Sequence, residues 1–255
     1  FGRWLIAGSI LALIARKELW QERRAVLAVW HQYVVLGSLG MMICGAWVYI
    51  GAQTTQAANI ALIYAAAPVL IALGSVLWLG ERMGLVQLAG VVVALAGVIH
   101  VVVKGQWTAL SGVQWVVGDL WIIVATVAWA AYALLQKIWP SSLSATARLA
   151  CICAGGVVVM LPFTLWEAGL PTTPAWTWRA TALTVTVALL PGVGAYWIYG
   201  WAQKILGASR VAMTLYLGPL YGAVAAYLVL HEPLGWHHLV GAALILPGVY
   251  LVTRK

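Results

Sequence analysis

Charge is scarce in this chain. Only 8% of its 255 residues are Asp, Glu, Lys or Arg, against about 25% in ordinary soluble domains, while 64% are hydrophobic. A surface solvated mainly by water is thereby excluded. Phenylalanine is almost missing, with two Phe beside 16 Trp and 10 Tyr, so nearly every ring carries an N–H or O–H handle. Cysteine is limited to Cys44, Cys151 and Cys153, all within apolar runs. No loop disulfide is available, Cys151-Ile152-Cys153 lacks redox-motif spacing, and all three read as small packing residues. There is no His-Glu zinc motif, serine elbow, intramembrane Gly-Asp pair or phosphate loop, so neither an enzyme nor a cofactor is expected. His231, His237 and His238 match no standard metal spacing, and no metal site is assigned. No ionisable residue falls at the centre of any apolar run, so an ion relay is hard to build from the residues present, and a helix outside this sequence would have to supply one.

What remains is a succession of apolar runs near 1–15, 30–52, 56–80, 85–103, 116–138, 144–166, 180–201, 208–230 and 236–252. Each approaches or exceeds the ~20 residues a bilayer-crossing helix needs. Lipid-facing β-strands alternate apolar and polar residues, whereas runs such as Leu85 to Val103 are apolar all round, so a β-barrel is excluded. The fold class is an all-α polytopic membrane protein with nine apparent spans.

The chain is internally duplicated at an offset of 151 residues. Residues 57–101 aligned with 208–252 share 14 identities in 45 positions, among them Pro68 with Pro219, Glu81 with Glu232, Gly90 with Gly241 and Gly97 with Gly248. The counterpart of the span at 116 would fall at about position −35, before Phe1. The expectation is therefore ten helices in a five-plus-five arrangement, with the first native helix outside this sequence. The halves are 1–104 and 116–255, joined by an extracytoplasmic linker at 105–115. An odd number of spans per half turns the second copy upside down, a common construction in secondary transporters. With the 16–29 loop assigned to the cytoplasm, eleven Lys and Arg fall inside and only Arg3, Lys104 and Arg179 outside. That is the positive-inside pattern, and it places the C-terminus in the cytoplasm. The net charge of +8 then reports topology and contact with anionic lipid, with no nucleic acid partner implied. The stretch 167–179, with Pro171, Pro174, Trp176 and Trp178, reads as an outer loop with an aromatic anchor.

Candidate functional residues follow from what lipid will not tolerate. Pro68 and Pro219 each remove a backbone donor near midspan, and Pro191-Gly192-Val193-Gly194 interrupts 180–201. The freed carbonyls need partners inside the protein, so these three prolines are read as hinges framing a central cavity. Tyr64, Trp129, Tyr196 and Tyr216 lead the candidate substrate-binding set, joined by Trp47, Tyr132, Tyr199, Tyr221 and, at a span entrance, His31. Midspan rings with polar handles suit a solute offering π-faces and hydrophobic bulk. Glu81 and Glu232 sit in four-residue turns, where a carboxylate can face the N–H groups opening the next helix, and are assigned structural turn roles. Asp119 reads as an N-cap, and the paired glycines as close helix contacts.

The stretch Ala58 to Gly97, ANIALIYAAAPVLIALGSVLWLGERMGLVQLAGVVVALAG, resembles the repeat of EamA-type members of the drug/metabolite transporter superfamily, and 209–248 carries the same pattern. Gly118-Asp119 followed by Ala128-Trp129-Ala130-Ala131-Tyr132 is similar to the opening helix of that family's second repeat. His231-Glu232-Pro233 departs from the Gly80-Glu81-Arg82 of the first copy. The resemblance implies export of small metabolites by alternating access through a central cavity in the bacterial inner membrane. The Tyr and Trp usage is similar to that of YddG-type exporters of aromatic and other amino acids. Amino acids, including aromatic ones, are the expected solutes. The alternatives are efflux of cationic aromatic compounds and a passive channel, the latter opposed by the lack of a polar stripe along any span. Substrate and lipid are the partners implied, and oligomeric state is open.

Overall fold

In a computed structural model the chain is helical, with residues 1–171, 177–231 and 233–254 described. Pro174, Trp176 and Glu232, read above as loop and turn residues, lie outside the described residues. Nine segments are named here in chain order: α1 (Gly2–Ile14), α2 (Trp30–Gly51), α3 (Ala57–Leu79), α4 (Leu85–Val102), α5 (Val117–Ile138), α6 (Ala145–Ala168), α7 (Trp178–Leu206), α8 (208–230) and α9 (Trp236–Thr253). Among the described residues, seven of them (α2 to α7 and α9) are long and apolar enough to cross a membrane, and α1 is a shorter apolar helix. Helices dominate because they alone, apart from closed barrels, satisfy every backbone group without water.

The helices gather into two compact units that do not coincide with the two sequence halves. One comprises Phe1–Trp47 and Leu135–Ile205, the other Val48–Leu134 and Leu206–Lys255. Each unit thus takes helices from both copies of the repeat.

In the first unit, α6 packs on α1 and on the first part of α2. Glycine lets the backbones touch. A methyl group placed on Gly37 would collide with the backbone of Gly156, and one on Gly155 with the carbonyl of Tyr33. Cys153, fully buried, lies 2.9 Å from where a Cβ on Gly8 would stand. Cysteine here fills a narrow helix crossing, as a small apolar residue should. At the helix ends, Glu18 accepts hydrogen bonds from the Ser144 N–H and hydroxyl, both at 2.6 Å, at the start of α6. Arg148 donates to the carbonyls of Gln136 at 2.8 Å and Trp139 at 2.6 Å, closing the end of α5.

The second unit is built on the pairing of α4 with α9. A Cβ on Gly90 would lie 2.7 Å from the Gly248 carbonyl oxygen, and one on Gly248 would lie 2.6 Å from the Ala94 nitrogen. One on Gly97 would stand 2.8 Å from Ile245 and Leu244, and one on Gly241 would overlap Val101. The seven-residue glycine spacing is therefore one continuous seam between repeat-related helices. In lipid, where apolar surface gives no net drive to association, such close packing supplies the attraction.

The turns flanking this seam are fixed by left-handed residues. Gly80 has φ 66°, and the Glu81 N–H donates to the Ser75 carbonyl at 3.0 Å, ending α3. Its repeat mate His231 holds the same conformation at φ 56° without glycine's freedom. Replacing His231 with Gly is predicted to stabilise the protein by about 1 kcal/mol, read as a raised thermal midpoint in detergent. Gly248→Leu is expected to destabilise it by about 1–3 kcal/mol or more through overpacking of the seam.

Candidate functional site

The helices that carry Pro68 and Pro219 are broken at equivalent points, whereas Pro162 and Pro247 lie inside the unbroken α6 and α9. In α3 the pieces are Ala57–Tyr64 and Ala67–Leu79, and in α8 they are Ala208–Met213, a 3₁₀ turn Thr214–Leu217 and Gly218–Leu230. Pro68 and Pro219 are each the second residue of the piece that follows, where a missing N–H costs no hydrogen bond. The prolines start new helices. Tyr216, 1% exposed, sits in the break of α8 and donates from Oη to the carbonyl of Ala65 in the break of α3 at 3.0 Å. The two residues are 151 apart, so the repeat-related breaks are joined through one phenol. Tyr64, half-buried, immediately precedes this point.

The first unit shows a related device. Over Ser38–Trp47 in α2 and Ala188–Ala195 in α7 the helix widens into π turns. Shifting 188–195 back by 151 gives 37–44, so these segments too are repeat mates. Pro191 marks the second of them, while nothing in Ser38–Trp47 contains a proline. π turns leave backbone carbonyls poorly satisfied and often mark functional sites. Tyr196 donates from Oη to the Gly40 carbonyl at 2.8 Å and sits edge-on to Trp4, ring centroids 4.9 Å apart. Arg3 places its guanidinium 4.3 Å above the Trp4 ring and 6.0 Å from that of Tyr196. Trp4, 2% exposed, and Arg3 were not singled out by sequence; an Arg-Trp pair inside an apolar run was the available signal.

The other expected site residues fall as follows. Trp129 and Tyr132 stack with centroids 5.3 Å apart on α5, and Tyr132 is 1% exposed. Tyr199 is buried in the first unit and Trp47 half-buried there. Tyr221 is 68% exposed on α8, and His31 is exposed beside Trp30. Pro68 is buried, while Pro191 and Pro219 are half-buried.

Two carboxylates serve tasks that sequence did not assign. Glu81 accepts a hydrogen bond from the Ser209 hydroxyl at the start of α8, and the N–H opening α4, that of Gly84, goes instead to Gln87 Oε1 at 2.9 Å. The expected cap of the next helix is therefore a tie between α3 and α8, because the turn aims the side chain away from its own neighbour. Asp119 is the third residue of α5 rather than its N-cap, and is 1% exposed. It accepts from the Thr55 hydroxyl, from Asn59 Nδ2 at 3.2 Å and from the Val116 N–H at 2.9 Å. Asn59 also donates to the Gln114 carbonyl at 3.1 Å. Beside this network lies a cavity of about 430 Å³ lined by Gln56, Asn59, Lys104, Gln106 and Gln114. His238 Nδ1 accepts the Gly235 N–H at 3.1 Å, fixing the start of α9.

The profile of the EamA-like transporter family matches residues 1–103 and 116–254. The chain belongs to this family. It is 27% identical over 226 residues to an uncharacterized transporter of Archaeoglobus fulgidus, covering 89% of this chain and 77% of that one. It is 30% identical over 220 residues to a probable terminal-alkyne amino-acid exporter of Streptantibioticus cattleyicolor, covering 86% and 71%. With the transporter YvbV of Bacillus subtilis it shares 29% over 255 residues, covering 99% and 81%. A solved structure superposes with a TM-score of 0.78 at 16% identity, over 99% of this chain and 85% of that one, which establishes a shared fold. The protein is thus a multi-pass membrane transporter of the EamA-like family. Asp119→Ala is predicted to leave three buried or half-buried donors unpaired and to lower stability by about 2–4 kcal/mol, with Asp119→Asn losing less, as read by thermal unfolding in detergent.

Proposed function

We propose that this transporter exports small amphipathic metabolites, chiefly amino acids including aromatic ones, across a bacterial inner membrane, with its C-terminus in the cytoplasm. The observation that carries the reading is the tyrosine clamp on repeat-related helix breaks. Tyr216 holds the broken end of α3, and Tyr196 holds the widened turn of α2. Discontinuous helices at matched positions of two repeats are where secondary transporters bind solute and where their backbones flex. The relative named as a probable terminal-alkyne amino-acid exporter supports the solute class.

In the proposed cycle the breaks at 65–66 and 214–217 and the π turns around Gly40 and Pro191 act as hinges, and the repeats at 1–104 and 116–255 alternate between two access states. Tyr64, Trp129, Tyr132, Tyr199 and Trp47 are proposed to offer ring surface to the solute, and Tyr221 and His31 to meet it on entry. A carrier of this kind makes and breaks no covalent bond, so no catalytic residue or cofactor enters the account. The rival solute class, cationic aromatic compounds, is disfavoured by the Arg3 guanidinium already stacked on Trp4.

Radiolabelled L-tryptophan efflux from proteoliposomes holding the full chain tests the proposal. Saturable flux is expected, with Tyr216→Phe slowing it about tenfold while KM moves little, because the ring remains and only the clamp is lost. Tyr64→Ala is expected to raise KM. Wild-type flux that is absent, or linear in solute, would overturn the amino acid carrier reading.

A further inference from the structure

We propose that Arg3 is the anion-docking residue of the transport site and takes the carboxylate of a solute whose apolar body lies against the aromatic cluster of the first unit. This deepens the export reading above and rests on it for the solute class.

Depth is the first observation. Gly192 lies fourteen residues from Trp178 and fourteen from Leu206, at the midpoint of α7. A Cβ on Gly192 would stand 3.7 Å from Arg3 Nε, so the guanidinium packs at that midpoint, about 21 Å along the helix from either end. A cation in the middle of an apolar span marks a function unless a partner neutralises it. The second observation concerns its partners among the described residues. Arg3 Nε is buried without a hydrogen bond, and among the described residues no carboxylate pairs with the side chain. The guanidinium presents five donors in a planar fork that matches a carboxylate. Trp4 and Tyr196 attract the charge through their ring faces but accept no ordinary hydrogen bond from it.

The third observation concerns what the neighbouring groups have left to offer. The Tyr196 hydroxyl is engaged by the Gly40 carbonyl, so that ring presents hydrocarbon and π surface to a solute. Charge recognition therefore falls to Arg3 and bulk recognition to the rings. A lipid phosphate carries the same anionic chemistry, but headgroups lie at the ends of a span rather than at its middle.

Full-length protein in nanodiscs is titrated calorimetrically with L-tryptophan and with L-tryptophanamide, which keeps the ring and the ammonium but lacks the carboxylate. The wild type is expected to bind tryptophan at least about tenfold more tightly than the amide. In Arg3→Gln the two affinities should fall within about twofold of each other through weakened tryptophan binding, and Arg3→Lys should retain part of the preference. Equal wild-type affinities, or a preference that survives Arg3→Gln, would overturn the assignment. So would a preference seen in zwitterionic lipid and lost in anionic lipid, which would give Arg3 to a headgroup. Should Arg3→Gln fail to assemble, the wild-type ratio and Arg3→Lys decide. Should the wild type bind neither amino acid compound, the export reading fails separately, and 4-phenylbutyrate against 4-phenylbutyramide puts the same question to Arg3. A carboxylate preference there supports the docking role, and its absence overturns it.

Discussion

A backbone carbonyl freed inside a bilayer has to find a donor within the protein, and the organisation of this transporter follows from that requirement. Regular helices meet it along most of their length. Among the described residues the regular pattern is interrupted at the breaks of α3 and α8 and at the π turns of α2 and α7, while Pro162 and Pro247 remove a donor inside α6 and α9. At two of those places a tyrosine from a repeat-related helix supplies the donor, Tyr216 to Ala65 and Tyr196 to Gly40. Each bond is worth only about 1 kcal/mol net in an ordinary setting, yet leaving the acceptor dry would cost more. A contact of that size holds one arrangement without freezing it, which suits a helix that has to move.

Around these irregular points the structure is rigid by other means. The glycine seam of α4 with α9 and the crossing of α6 with α2 bring backbones together so closely that a single methyl group does not fit. Polar ties fix the helix ends: Glu81 on Ser209, Asp119 on Thr55 and Asn59, Glu18 on Ser144. In the proposed cycle the tight seams would move as bodies and the clamped breaks would bend. Arg3 packs beside Gly192, with its guanidinium over Trp4 and near Tyr196.

Much of the architecture was legible in the sequence because it is written in local or periodic signals. Apolar run length gave the spans, the 151-residue offset gave the paired helices, and glycine spacing gave the seam, since only glycine permits such approach. Pro68 and Pro219 located the breaks. The π turn at Ser38–Trp47 was not legible, because it has no proline and is revealed only by its partner Tyr196. The tie from Glu81 to Ser209 and the burial of Asp119 depend on residues 128 and about 60 positions away, which no local pattern reports. Arg3 was assigned to the outer side from the charge pattern; no sequence signal indicated that its side chain packs beside Gly192. Tyr196 and Tyr216 were read as substrate-facing rings; in the structure their hydroxyls donate to the backbone at Gly40 and Ala65, which no local pattern reports.

The central claim is that the clamped breaks are the flexing points of the transport cycle. Amide hydrogen exchange of the full chain in nanodiscs, followed over 61–70 and 212–221 with and without L-tryptophan, tests it most directly. The account predicts faster exchange in these segments than in the α4 and α9 seam, with protection that changes when solute is added. Exchange as slow as in the seam and indifferent to solute would contradict it.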